Sequence, residues 1–152
     1  MSINPEHLKD FPMPDLALAT GAHDGYIWVT AKAPMYGING YVRIPDDELA
    51  NHPWTKKDEY IFEPDDSDLY WSEVTYQSGN WFGFDTLHSF NYWSEEYIWA
   101  EDKKAFMETM TMLRDERSIT MTPELVEHMA QGFAKQASEA YLHATAVGTH
   151  QI

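Results

Sequence analysis

Cysteine is absent from the sequence, which excludes disulfides and thiolate metal sites and is compatible with a reducing compartment. Basic residues are scarce: ten Lys and Arg stand against 25 Asp and Glu, a formal charge of −15. That balance argues against unassisted binding to DNA, RNA or an anionic membrane, because phosphate contacts need cations. No apolar run approaches the ~18 residues of a membrane span. Met1-Ser2-Ile3-Asn4-Pro5 shows no basic segment leading into an apolar stretch, so no secretion signal is expected and a cytoplasmic location is. Also missing are the G-x-S-x-G elbow, the Walker loop, the dinucleotide glycine fingerprint and the H-E-x-x-H pair. Neither an internal repeat nor a low-complexity tract occurs.

What remains is a chain able to bury a core. Hydrophobic residues make up 43% and aromatics 14%, which sets disorder aside, and 152 residues fit a single domain, 1–152. Residues 1–24, with Pro5, Pro12 and Pro14, read as an irregular arm with a short helical turn near Asp15. Residues 25–90 read as β-rich, with strands expected at 26–31, 41–44 and 60–62, and a hairpin formed by 69–77 and 81–87. Its turn lies in Ser78-Gly79-Asn80, and two registers are open. A Ser78-Gly79 turn sets Tyr76 opposite Trp81 and Glu73 opposite Phe84. A Gly79-Asn80 turn sets Tyr76 over Gly83 and Glu73 opposite Thr86. A glycine inside so aromatic a strand marks a bulge or a close approach, and Tyr76 laid over Gly83 is the expected reason.

Residues 95–147 read as helical. Trp99, Phe106, Met110 and Leu113 recur at helical spacing. A second helix is predicted over 123–146, with Thr122 as N-cap and Pro123 in the first turn. Val126, Met129, Ala130, Phe133, Ala137, Ala140, Tyr141 and Ala144 form its apolar stripe, and Gly148 marks its end. Strands followed by helices predict an α+β fold: an antiparallel β-sheet of about four to five strands with C-terminal helices packed on one face. The alanines of the last helix permit close helix pairing, which favours a homodimer.

Asp85-Thr86-Leu87-His88 is the segment best equipped for chemistry, since a carboxylate beside an imidazole serves as a general base or as two metal ligands. A strand ending near Thr86 in a turn or bulge would bring the two together, but in a regular strand residues three apart point to opposite faces. Glu73 would then be the partner of His88 in either register, and Asp85 would cap the following turn. The other histidines carry less: His23 sits in a turn beside Asp24-Gly25, His52-Pro53-Trp54 reads as a loop, and His128 and His143 are expected to face solvent. Asp65-Asp66-Ser67-Asp68 clusters oxygens suited to calcium but lacks the EF-hand glycine and closing glutamate. No cofactor is expected.

The acids concentrate between residues 58 and 73. Asp58, Glu59, Glu63, Asp65, Asp66, Asp68 and Glu73 occur there without a Lys or Arg, interleaved with Tyr60, Phe62, Tyr70 and Trp71. Such a strip is either a solvated loop that keeps the protein soluble, or a surface that imitates a nucleic-acid backbone toward a basic partner.

Gly40-Tyr41-Val42-x-Ile44-Pro45, His52-Pro53-Trp54, Val74-Thr75-Tyr76, Trp81-Phe82-Gly83-Phe84-Asp85-Thr86-Leu87-His88 and Tyr92-Trp93 together resemble a group of small uncharacterised proteins of tailed bacteriophages and prophages. The resemblance spans residues 25–113 and leaves the last helix outside. It implies a phage setting inside a host cell and no known activity. The group's pattern has His-Gly-Gly shortly before the Thr-Tyr pair and an aspartate three residues after the histidine of G-F-D-x-x-H. This chain has Tyr70-Trp71-Ser72-Glu73 and Asn91 there, so a histidine and a carboxylate of any acid–base or metal site are missing. The departure points away from an enzyme. The expectation is an acidic accessory protein that binds a host protein with a basic surface, in the manner of inhibitors of host defence. Asp58, Glu59, Glu63, Asp65, Asp66, Asp68, Tyr70 and Trp71 would be its contact residues. The rival is a small metal-dependent hydrolase centred on His88 with Asp85 or Glu73.

Overall fold

Asp24 and Gly25 both have positive φ, 50° and 84°, the pair of values a tight hairpin turn needs. They join strand β1 (Ala17–His23) to β2 (Tyr26–Lys32). A computed structural model of the chain describes residues 2–56, 61–62, 72–88 and 90–150. Strand β3 (Ile38–Arg43) follows, then the single helical turn α1 (Asp46–Leu49) and a 3-10 turn at Pro53–Lys56. A two-stranded ribbon pairs β4 (Ile61–Phe62) with β5 (Ser72–Glu73). The chain then forms β6 (Tyr76–Ser78), β7 (Trp81–Phe84) and β8 (Asn91–Tyr92), helix α2 (Lys103–Leu113), strand β9 (Ile119–Thr120) and helix α3 (Pro123–His150).

The fold is α+β. Its main sheet is antiparallel with five strands in the order β1-β2-β3-β7-β6, and α3 packs against one face. The alternation of each strand decides which residues meet the helix. Trp28, Val42, Phe82 and Phe84 point to the α3 side and are buried with Val126, Met129, Ala130, Phe133, Ala134 and Ala137. Thr122 caps α3 by accepting the Leu125 N–H at 3.1 Å, as expected from its position before Pro123. The helix continues through Gly148 to His150. Ala130, Ala134 and Ala137 are fully buried, so their small side chains let α3 lie close to its own sheet. These three alanines serve the sheet and give no seam for a second copy, while Ala140 and Ala144 of the same stripe stay partly exposed.

The opposite face of the sheet is covered by the N-terminal segment, and this corrects the reading of residues 1–24 as an irregular arm. Residues 17–23 are an edge strand. Ahead of them, Phe11 packs edge-on against Tyr41 and Trp81, at 5.2 and 4.8 Å between ring centres, within a second core that includes Val29 and Ala31. Asp10 fastens this layer. Arg43 donates to both of its carboxylate oxygens at 2.9–3.0 Å, and the Trp81 indole N–H donates to Oδ1 at 3.0 Å. The Arg43 hydrogen bond holds the Asp10 carboxyl below the usual carboxylate range.

The hairpin adopts the register with its turn at Gly79-Asn80, setting Tyr76 opposite Gly83. The ring over Gly83 is nonetheless that of Tyr41, from the other neighbouring strand: a Cβ on Gly83 would stand 2.6 Å from it. The hairpin is also shorter than predicted, because Ser72 and Glu73 pair with Phe62 and Ile61 and Glu73 never reaches Thr86. Residues 61–62 accordingly belong to the small ribbon and not to the main sheet.

Candidate functional site

Strand β7 stops at Phe84 because Thr86 is captured. Its hydroxyl donates to the Ile38 carbonyl at 2.6 Å, its N–H donates to Asn39 Oδ1 at 3.1 Å, and its carbonyl accepts from the Trp93 indole at 3.0 Å. With Thr86 fully buried by these bonds, the chain on either side must turn. Asp85 Oδ1 accepts the Leu87 N–H at 3.0 Å, an Asx turn. The His88 N–H donates to Asn91 Oδ1, also at 3.0 Å.

This turn brings Asp85 and His88 together, the outcome expected of a strand that ends near Thr86 and not of one that stays regular. His88 Nε2 lies 3.4 Å from Asp85 Oδ1, longer than a normal hydrogen bond, with the two side chains 36% and 26% exposed. The imidazole lies parallel to the Phe90 ring, 6° between planes and 5.2 Å between centres. Glu73 is not part of the turn; its backbone faces Ile61 in the ribbon. The preference for Glu73 as the partner of His88 assumed a regular strand through residue 88, and that strand does not exist.

His88 also stands at the edge of a pocket of about 200 Å³. Tyr36, Leu87, Phe106 and Met110 supply apolar wall, and Arg114 is among the polar residues of the lining. The pocket lies under α2, which buries none of its residues fully and meets the body through Phe106 against Tyr36, 5.6 Å between ring centres. Arg114 follows the last residue of α2, with its guanidinium 4.1 Å above the Tyr92 ring. Burial, and secondly the Asp85 carboxylate, push the Tyr36 phenol up. Sequence reading missed Tyr36, Tyr92 and Arg114. Only Arg114 carried a signal, as a cation at a helix C-terminus in a chain poor in cations.

Among the described residues, no three of His, Asp and Glu converge as metal ligands. Asp58, Glu59, Glu63, Asp65, Asp66, Asp68, Tyr70 and Trp71, predicted as contact residues, lie outside the described residues. His128 and His143 are exposed, as expected. His23 sits at the β1–β2 turn with Nε2 3.3 Å from Asp24 Oδ2. His52 lies in a loop, as expected, yet is fully buried and hydrogen-bonded through both ring nitrogens.

No described helix is long and apolar enough to cross a membrane. Comparison with protein-family models, curated proteins and solved structures finds no match to this chain.

Proposed function

We propose that this chain is a non-catalytic binding protein that offers an acidic, aromatic-rich surface to a basic surface of a host-cell protein, in a phage or prophage setting. The observation that carries this reading is the charge of −15, with seven acids and no Lys or Arg between residues 58 and 73. The described part adds to it. Asp46 and Asp47 are exposed on α1, and Glu95, Glu101, Asp102 and Glu108 outnumber Lys103 and Lys104 around one broad, shallow depression beside α2. In such an interface Tyr70 and Trp71 would anchor and the carboxylates would steer. Host proteins captured from lysate supply the partners for kinetic measurement. Reversing Asp65, Asp66 and Asp68 to lysine is expected to slow association by about tenfold or more at low salt. An on-rate indifferent to both the reversals and the salt concentration would show that the strip is only solvated surface.

A second reading is favoured by the Asp85–His88 pair at the pocket edge: a small hydrolase in which His88, oriented by Asp85, acts as a general base or provides a metal ligand. Metal analysis of the purified protein, paired with hydrolysis of ester and phosphoester panels, tests it. His88→Ala should then reduce turnover by about 100-fold or more. Turnover equal in parent and variant removes this reading.

A further inference from the structure

We propose that the pocket under α2 is a binding site for a small aromatic carboxylate, its ring seated among Tyr36, Leu87, Phe106 and Met110 and its carboxylate held by Arg114. This goes beyond the surface reading and does not depend on it.

Size comes first. A dry cavity of roughly 150 Å³ is enough to hold benzene, and this pocket measures about 200 Å³. One six-membered ring with a short polar substituent is within its capacity.

The lining then selects the chemistry of the body. Tyr36 and Phe106 present aromatic surface, Leu87 and Met110 aliphatic and thioether surface, which suits a flat apolar ring.

Charge selects the substituent. Acids outnumber bases 25 to 10 in this chain, yet Arg114 has no carboxylate partner among the described residues. Its guanidinium instead lies over Tyr92, which limits its freedom, and both residues line the pocket. A guanidinium held beside apolar wall matches a carboxylate in fork geometry. Asp115, the next residue in the chain, is engaged by Arg117, whose N–H it accepts at 2.8 Å and whose guanidinium lies 3.6 Å from its Oδ2. Asp85 is absent from the pocket wall, and its Oδ1 is engaged by the Leu87 N–H and faces His88. The C-terminal end of α2, whose Leu113 lines the pocket, brings about half a negative charge beside it. Anion binding there consequently depends on Arg114.

The test uses benzoate as the probe, titrated into the full-length protein and followed by amide NMR. Benzoate should shift the resonances of Leu87, Asn91, Met110 and Arg114 saturably. Benzamide, equal in shape but neutral, should bind at least about tenfold more weakly, and so should benzoate to Arg114→Gln. The spectrum of the variant reports its folding in the same experiment, and the benzamide comparison needs no variant. Absence of saturable shifts with benzoate overturns the proposal. So does equal affinity for benzoate and benzamide, or for the parent and Arg114→Gln.

Discussion

Replacing Phe133 with alanine is expected to lower the unfolding free energy by about 3–5 kcal/mol. Phe133 is fully buried at the centre of α3. Its ring stacks on Trp54 at 4.9 Å and meets Phe84 edge-on at 5.2 Å. It thus joins the last helix to the segment after α1 and to the middle of the sheet. Truncation removes the apolar area and leaves a void that three rigid elements cannot close. Because domains of this size are stable by only about 5–15 kcal/mol, the loss is a large share of the total. Urea denaturation followed by tryptophan fluorescence measures it. Met112→Ala on α2 is the control: that side chain is 83% exposed, and the change should stay within about 0.5 kcal/mol. Equal midpoints for the two variants would mean that α3 is not docked through Phe133.

Acidification is expected to destabilise the protein through His52. Its Nε2–H donates to the Ala137 carbonyl at 2.7 Å, and its Nδ1 accepts the Trp54 N–H at 3.1 Å. Those two bonds require the neutral ring with its proton on Nε2. Tyr141 stacks on it at 6.2 Å between centres, and Tyr26, whose hydroxyl donates to Glu48, lies on another side. Burial pushes the His52 imidazole below its ordinary value, against a smaller opposing effect of the Ala137 carbonyl.

The sign follows from linkage. The unfolded chain takes up a proton near pH ~6.5, whereas the folded chain resists it. Stability from His52 is therefore fully present above that pH and declines as pH falls through it toward the lower folded value. His52→Leu should cost about 1–3 kcal/mol near neutrality, since Trp54 N–H loses its acceptor. The variant should also lose less stability than the parent between about pH 7 and about pH 5. Urea midpoints for both proteins across that range check the prediction. Parallel curves would mean that the proton is taken up elsewhere.

Legibility from sequence varied with the source of the signal. The last helix announced itself through Thr122, Pro123 and a stripe at helical spacing, all local features. The hairpin turn at Gly79-Asn80 was one of two open registers. β1 went unread because Leu18 is its only bulky apolar residue, so its alternation is weak; the Asp24-Gly25 pair was the available clue. The loop at His52 was legible from its proline neighbour, but its burial was not, because the Ala137 carbonyl it bonds lies 85 residues away on α3.

By itself, then, the sequence determined the net charge, the α+β class, and the start of the last helix, set by its cap and proline. These depend on charge counts and on spacings within a few residues. Tertiary structure alone decided that Asp85 and His88 share a turn, that the N-terminal segment covers the second face of the sheet, and that Arg114 overlooks a pocket. Each of these depends on a contact between distant segments, such as the capture of Thr86 by Ile38 and Asn39, which no periodicity encodes.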